Sequence, residues 1–139
     1  MILIVQSMWN EAITSKLVEG AVKVLKSVKM PYELVQVPGA LEAGLAVQWR
    51  SKKLKSKLKG AVVCGTVVKG DTYHFEVVSV ESARIISDLS LKLDLPIGNA
   101  ILTCFNIDQA LERAGGKKGN KGEEGVHAVL QMLQLKRGR

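Results

Sequence analysis

The sequence predicts an α/β fold in three α/β/α layers, built on a doubly wound, four-stranded parallel sheet. Short β-branched runs alternate along the 139-residue chain with longer segments that have a helical apolar period. Because 47% of the residues are hydrophobic and only 4% are aromatic, the core is made of aliphatic side chains, as in buried parallel strands. Strands that alternate with helices form right-handed crossovers. No repeat or linker is visible, so we expect one domain over residues 1–139.

The first half of the chain predicts two strands and two helices. The first strand is Ile2–Gln6, and Asn10 is the expected N-cap of a helix that ends near Val28. The alternating run Glu33–Val37 is the second strand. A turn then leads into a helix over about Leu41–Arg50.

The second half begins with a buried strand at Gly60–Gly65 and a loop at Thr66–Asp71. Thr72 is the expected cap of a long helix that ends before Pro96, and Ile97–Cys104 is the fourth strand. Asn106 then caps a short helix to about Ala114. A glycine-rich, basic loop over residues 115–122 precedes the last helix, whose apolar face holds Val126, Leu130 and Leu133.

Charge and cysteine content limit the classes of partner. The net charge is +7, which favours anionic partners. A basic run lies in residues 50–59, which we interpret as a solvated helix end and loop; nucleic-acid contact is the alternative, and no nucleic acid is expected. Cys64 and Cys104 have no metal or redox spacing and fit buried free thiols. With no signal peptide and no 18-residue apolar window, we expect a cytoplasmic protein without a membrane partner.

An unusual segment follows each predicted strand, and ligands of such sheets bind beyond the carboxyl ends of the strands. Trp9 offers an aromatic plane for a flat heterocycle, or it is a hydrophobic staple for the next helix. Glu42 is placed to accept hydrogen bonds from a polyol or amine, or it only complements a helix dipole. A structural role is the alternative for each residue.

His74 and an anion-binding turn follow the third strand. The positive end of the predicted helix favours a neutral imidazole, which suits proton transfer in a condensation, although a lone histidine is often structural. The residues Gly70-Asp71-Thr72 offer unpaired amides of the kind that bind phosphate. Arg113 is the expected second phosphate ligand, because its planar guanidinium binds two oxygens together.

Three segments, in collinear order, resemble the signature segments of the 6,7-dimethyl-8-ribityllumazine synthase family. They are PGALE at residues 38–42, GTVVKGDTYHFE at 65–76 and QALERAGGKKGNKG at 109–122. The resemblance implies a flavodoxin-like fold and a transferase of riboflavin biosynthesis. This enzyme joins 5-amino-6-(D-ribitylamino)uracil to 3,4-dihydroxy-2-butanone 4-phosphate and uses no metal and no organic cofactor.

The resemblance also assigns roles to residues of this sequence. His74 corresponds to the proton-transfer residue, Trp9 lies where the family has an aromatic under the pyrimidine ring, and Arg113 corresponds to the phosphate ligand. The other substrate-binding residues that it implies are Ala40, Leu41, Glu42, Thr66, Val67, Val68, Asp71, Thr72, Asn99 and Lys117.

The family forms pentamers or multiples of pentamers, with sites shared between subunits, so the resemblance implies a homo-oligomer with small-molecule substrates. Many members of the family have Phe where this chain has Asn99. In those members the Phe belongs to the part of the site that a neighbouring subunit contributes. Two alternatives remain at this point: a non-catalytic relative that binds lumazine or flavin, and an archaeal-type riboflavin synthase of the same fold. The predicted phosphate site favours an enzyme that uses a phosphate ester.

Overall fold

A computed structural model describes residues 1–138 and contains the predicted four-stranded parallel sheet. The strands are β1 (Ile2–Ser7), β2 (Tyr32–Val37), β3 (Gly60–Val68) and β4 (Ile97–Cys104), in the order β2-β1-β3-β4. All three strand pairs are parallel. The α/β fold class predicted from the alternating pattern is therefore confirmed.

Helices cover both faces of this sheet. They are α1 (Glu11–Ser27), α2 (Ala43–Leu54), α3 (His74–Leu93), α4 (Ile107–Glu112) and α5 (Lys121–Lys136). Alternate residues of each strand point to opposite faces. Ile4 and Val62 therefore pack with α1 and α5, whereas Leu3 and Val63 pack with α2 and α3. Burial on both faces explains why residues 2–5 of β1 and most of β3 are continuous apolar runs.

β3 is longer than the sequence pattern suggested. Thr66, Val67 and Val68 belong to the strand and pair with residues 102–104 of β4, so the loop predicted from Thr66 onward is wrong in its first three residues. Thr72 is not the helix cap either: α3 begins at His74, Tyr73 occupies the N-cap position, and no side chain caps the helix. Pairing with β4 decided where β3 ends, and local propensity did not.

Asn10 occupies the predicted N-cap position of α1 but does not cap the helix. Its backbone is left-handed (φ 61°), and its side chain makes no capping hydrogen bond. The amide Nδ2 instead donates to the carbonyl oxygen of Thr66 at 2.9 Å. Asn10 therefore ties the end of β1 to the end of β3, a contact that sequence spacing alone does not reveal.

The predicted glycine-rich loop is a small antiparallel hairpin. Its strands are β5 (Ala114–Gly116) and β6 (Gly119–Asn120), with positive φ at Gly115 and Gly119. Asn120 caps α5 by accepting from the N–H groups of Gly122 and Glu123, at 2.8 and 3.1 Å. The short helix before the hairpin is confirmed, with Asn106 accepting from the N–H of Gln109 at 2.9 Å.

The basic run at residues 50–59 covers the end of α2 and the segment after it, and it is solvent-exposed, as predicted, except at its first residue. Arg50 is half-buried and pairs with Glu33 across 2.6 Å, whereas the lysines at positions 52, 53, 55, 57 and 59 are exposed. α2 also extends beyond the predicted end, to Leu54, and follows a 3-10 turn at Ala40–Glu42. Among the helices within residues 1–138, none has the length and apolar character needed to cross a membrane.

Both cysteines are buried and free, as predicted. Burial raises the pKa of the Cys64 thiol to about 12, because the thiolate is desolvated between β1 and β4. We therefore expect iodoacetamide to label Cys64 at least about 100-fold more slowly in the native protein at pH 8 than in guanidinium. Peptide mass spectrometry over time measures both rates. Labelling of Cys64 at similar rates in the two conditions would contradict the structure.

Candidate functional site

A cleft of about 520 Å³ opens at the carboxyl end of the sheet. It lies where β1, β2 and β3 end and α3 begins. Its lining residues are Ser7, Trp9, Pro38, Gly39, Ala40, Leu41, Glu42, Thr66, Val67, Val68, Gly70, Thr72, His74, Phe75 and Val78. Many of the residues predicted from the sequence therefore line one cavity, although they are distant along the chain.

Trp9 lies at the rim of the cleft because the chain leaving β1 is held against β2. The N–H of Met8 donates to the carbonyl of Val37 at 2.8 Å, and the N–H of Trp9 donates to the carbonyl of Pro38 at 3.1 Å. The Trp9 side chain is 73% exposed. An indole this exposed contributes little to the core, so its face is free for a flat ligand.

The turn after β2 brings a carboxylate to the cleft. Gly39 has extended backbone, and its carbonyl accepts from the N–H of Glu42 at 3.2 Å, which closes the 3-10 turn. Glu42 is exposed, and no basic side chain within residues 1–138 lies within 4 Å of its carboxylate. The carboxylate is therefore available to accept hydrogen bonds from a hydroxyl or amine in the cleft.

The floor of the cleft is the end of β3. Thr66 is buried, and its hydroxyl Oγ1 has no hydrogen-bond partner in the described chain. Val67 and Val68 continue the strand beyond Thr66 and are half-buried. The end of β3 thus gives the cleft a largely apolar floor.

Thr72 and His74 lie where the chain passes from β3 into α3. The N–H of Lys69 donates to the carbonyl of Cys104 at 2.9 Å, which fixes the end of β3 to β4. The following N–H groups of Asp71 and Thr72 have no acceptor in the described part of the chain. His74 is the first residue of α3 and is exposed. The imidazole therefore lies beside free amides at the positive end of a 20-residue helix.

Four of the predicted site residues do not line this cleft. Asp71 has an exposed side chain, and Asn99 lies on the exposed side of the edge strand β4, with Oδ1 accepting from the N–H of Ile101 at 2.9 Å. Arg113 follows α4, where its Nη1 donates to the carbonyl of Gln109 at 2.9 Å. Lys117, on the hairpin, lies 3.5 Å from Glu112.

Sequence reasoning missed several lining residues, among them Phe75 and Val78. Both side chains are half-buried and line the cleft. Val78 lies four residues after His74, and residues at that spacing share one face of a helix. Helical spacing from His74 was therefore the signal that could have identified Val78.

Comparison with known proteins gives a family match over nearly the whole chain. A family model described as 6,7-dimethyl-8-ribityllumazine synthase matches residues 1–137. Relatives carrying that name include proteins of Afipia carboxidovorans (41% identical, 98% of this chain, 85% of the relative) and Nitrobacter hamburgensis (43%, 97% and 85%). A third, from Kosmotoga olearia, is 40% identical over 98% of this chain and 88% of its own length.

Proposed function

This chain belongs to the 6,7-dimethyl-8-ribityllumazine synthase family, and from that premise we propose that it forms 6,7-dimethyl-8-ribityllumazine, the penultimate compound of riboflavin biosynthesis. Its substrates are 5-amino-6-(D-ribitylamino)uracil and 3,4-dihydroxy-2-butanone 4-phosphate. The observation that carries this proposal is the cleft, in which an indole, a carboxylate and an imidazole from separate segments line one cavity of about 520 Å³. That volume suits a small-molecule ligand.

The reaction requires two amine attacks and one elimination. The primary amine of the uracil attacks the ketone, and loss of water gives an imine. Proton removal then expels the phosphate, and the resulting enol becomes a ketone. The ribitylamino nitrogen attacks this second carbonyl, and a further loss of water closes the ring. Each step moves a proton, and the elimination needs its departing dianion stabilised.

The pyrimidine and its ribityl chain are assigned to the rim and floor of the cleft. Trp9 stacks on the flat ring, because its exposed indole has no other aromatic partner among the described residues. Glu42 accepts hydrogen bonds from the ribityl hydroxyls, together with main-chain groups of Ala40 and Leu41. Thr66, Val67 and Val68 are proposed to contact the substrate at the floor of the cleft.

His74 is proposed to move protons between the amine, the imine and the departing phosphate. Its position at the start of α3 puts it beside the amides of Asp71 and Thr72, which are proposed to bind the phosphate. A base next to the leaving group is what the elimination needs.

We further propose a homopentamer in which each cleft is completed by a neighbouring subunit. Supporting this, Asn99, Arg113 and Lys117 lie outside the cleft of their own protomer. A guanidinium exposed near the end of β4 is available to a phosphate bound next to another copy. The two buried free thiols support a reducing compartment, and we propose the cytoplasm.

Replacing His74 by alanine is expected to lower kcat about 100-fold without abolishing turnover, because it removes one proton-transfer group and leaves the binding contacts. KM for both substrates should change little. His127→Ala is the matched control, since the other histidine is exposed on α5, away from the cleft. An unchanged kcat for His74→Ala would remove the histidine from the mechanism.

The proposed activity is tested by mixing both substrates with the protein and recording lumazine absorbance against time. Lumazine formation above the uncatalysed rate supports the proposal. Tight binding of lumazine without turnover would instead indicate a binding protein.

A further inference from the structure

The amino ends of the strands lie at the opposite end of the sheet from the cleft. Three backbone hydrogen bonds of 2.9 Å bring separate segments together here. The N–H of Ile2 donates to the carbonyl of Pro31, and the N–H of Lys59 donates to the carbonyl of Met1. The N–H of Ala61 donates to the carbonyl of Pro96. Each long helix returns the chain to this edge, so α1, α2, α3 and α5 all end near it.

Half of the chain's 20 Lys and Arg residues lie at this edge, which we call the basic edge. Its members are Lys26, Lys29, Lys52, Lys53, Lys55, Lys57, Lys59, Lys92, Lys136 and Arg137, and all of them are exposed. Asp94 is the acidic residue among them, and it is bound by Lys136 at 2.9 Å. Outside the basic edge, the described chain has more acidic than basic residues. The positive charge of this protein is therefore localised.

The cations of the basic edge have few counter-charges in the described chain. Apart from Lys136, none of its members forms an ion pair within residues 1–138. Glu33, near the start of β2, is already paired with Arg50. Exposed cations in such a cluster repel one another and attract a polyanion from solution.

Helix dipoles account for only part of the cluster. A lysine in the last turn of a helix is favoured by the negative helix end without any ligand. Lys57 and Lys59, however, lie beyond the end of α2, directly before β3. The dipole of α2 therefore does not account for the cations at these positions.

The apolar residues of the same segment point inward. Leu58 is only 6% exposed, and Leu54 is half-buried. The segment therefore offers charge without an apolar anchor, unlike a surface that inserts into a membrane. Tyr32 at this edge packs against the core, whereas Trp49, which precedes Lys52 and Lys53 on α2, is 62% exposed. One exposed ring does not provide the series of platforms on which successive unpaired bases stack.

We propose that the basic edge binds the phosphate backbone of a double-helical nucleic acid without reading its sequence. Linear arrays of phosphates match a cluster of ten exposed cations that has few counter-charges. The sequence run at residues 50–59 did not favour this interpretation, because the contributions of α1, α3 and α5 are visible only in the folded chain. The site is remote from the cleft and does not depend on the proposed catalysis.

Fluorescence anisotropy with labelled duplex DNA and duplex RNA of about 30 base pairs, between about 50 and 200 mM KCl, tests the proposal. The wild-type protein should bind with affinity that falls steeply with salt. Lys52→Gln/Lys53→Gln/Lys57→Gln should weaken binding at least about tenfold and lower the slope of log K against log salt by about 2 to 3. The two duplexes separate a DNA partner from an RNA partner.

The matched control is Lys16→Gln/Lys23→Gln/Arg84→Gln, which removes the same charge from exposed positions outside the basic edge. It should bind duplex as the wild type does, and both triple variants should keep the wild-type unfolding temperature. Equal weakening by the two triple variants, or no duplex binding at about 50 mM KCl, would overturn the proposal. Stronger association with phosphatidylserine vesicles than with duplex would also overturn it and would assign Leu91 and Leu135, exposed near this edge, to a membrane contact.

Discussion

Replacing Arg113 by alanine is expected to lower kcat/KM about 1,000-fold, close to loss of turnover. The guanidinium is proposed to hold the butanone phosphate and to stabilise the dianion as it departs, so its loss affects both binding and elimination. Arg113→Lys should recover only part of the activity, because an ammonium keeps the charge and loses the planar fork. Steady-state kinetics with each substrate varied in turn measures the effect.

The control for this prediction is Arg84→Ala. Arg84 is exposed on α3 and pairs with Glu81 and Asp88, away from the cleft. Its removal should leave kcat/KM unchanged, since exposed ion pairs of this kind contribute little. If Arg113→Ala kept the wild-type kcat/KM, the phosphate site would have to be placed elsewhere.

Mixing two impaired variants tests whether the cleft is shared between subunits. In a closed ring assembled from Arg113→Ala and His74→Ala chains, about one interface in four combines an intact cleft with an intact Arg113. The co-assembled mixture should therefore exceed the activity of both parents. Activity equal to the mean of the two parents would place Arg113 and His74 in the same subunit's site.

Replacing Gly98 by alanine is expected to lower the free energy of unfolding by about 3 kcal/mol or more. A Cβ at Gly98 would collide with the carbonyl oxygen of Gly125 and lie 2.8 and 3.0 Å from the carbonyl carbon and Cα of the same residue. These are backbone atoms of α5, so no side chain can move aside and the helix must shift away from β4. Thermal unfolding at fixed protein concentration should show a midpoint lower by roughly 10 °C.

Gly70→Ala is the control for this packing effect. A Cβ at Gly70 meets nothing within 4 Å, so the unfolding midpoint should stay at the wild-type value. An unchanged midpoint for Gly98→Ala would show that α5 does not rest on β4 as closely as the structure has it. A second expected consequence of Gly98→Ala is lower activity, because α5 follows the hairpin next to Arg113.

Local sequence signals were sufficient where residues close together in the sequence decide the structure. The bounds of β4 agree with the prediction. Asn106 caps the start of α4 and α1 ends near Val28, both as expected, because apolar period and capping chemistry are local. Motif resemblance was needed to name the reaction, since neither Trp9 nor His74 specifies a reaction on its own.

Contacts between distant segments decided what the sequence could not. β3 continues to Val68 because β4 lies beside it, and Asn10 bonds to Thr66 instead of capping its own helix, since the partner is 56 residues away. The basic edge also arises from contacts between distant segments, because α1, α2, α3 and α5 all end there. The sequence by itself determined the order of the elements and the chemistry available at each strand end, because those depend on local spacing. Only the tertiary structure decided which groups meet in one cleft and which lie outside it, because convergence depends on the sheet order β2-β1-β3-β4 and on close backbone packing such as that of Gly98 on Gly125.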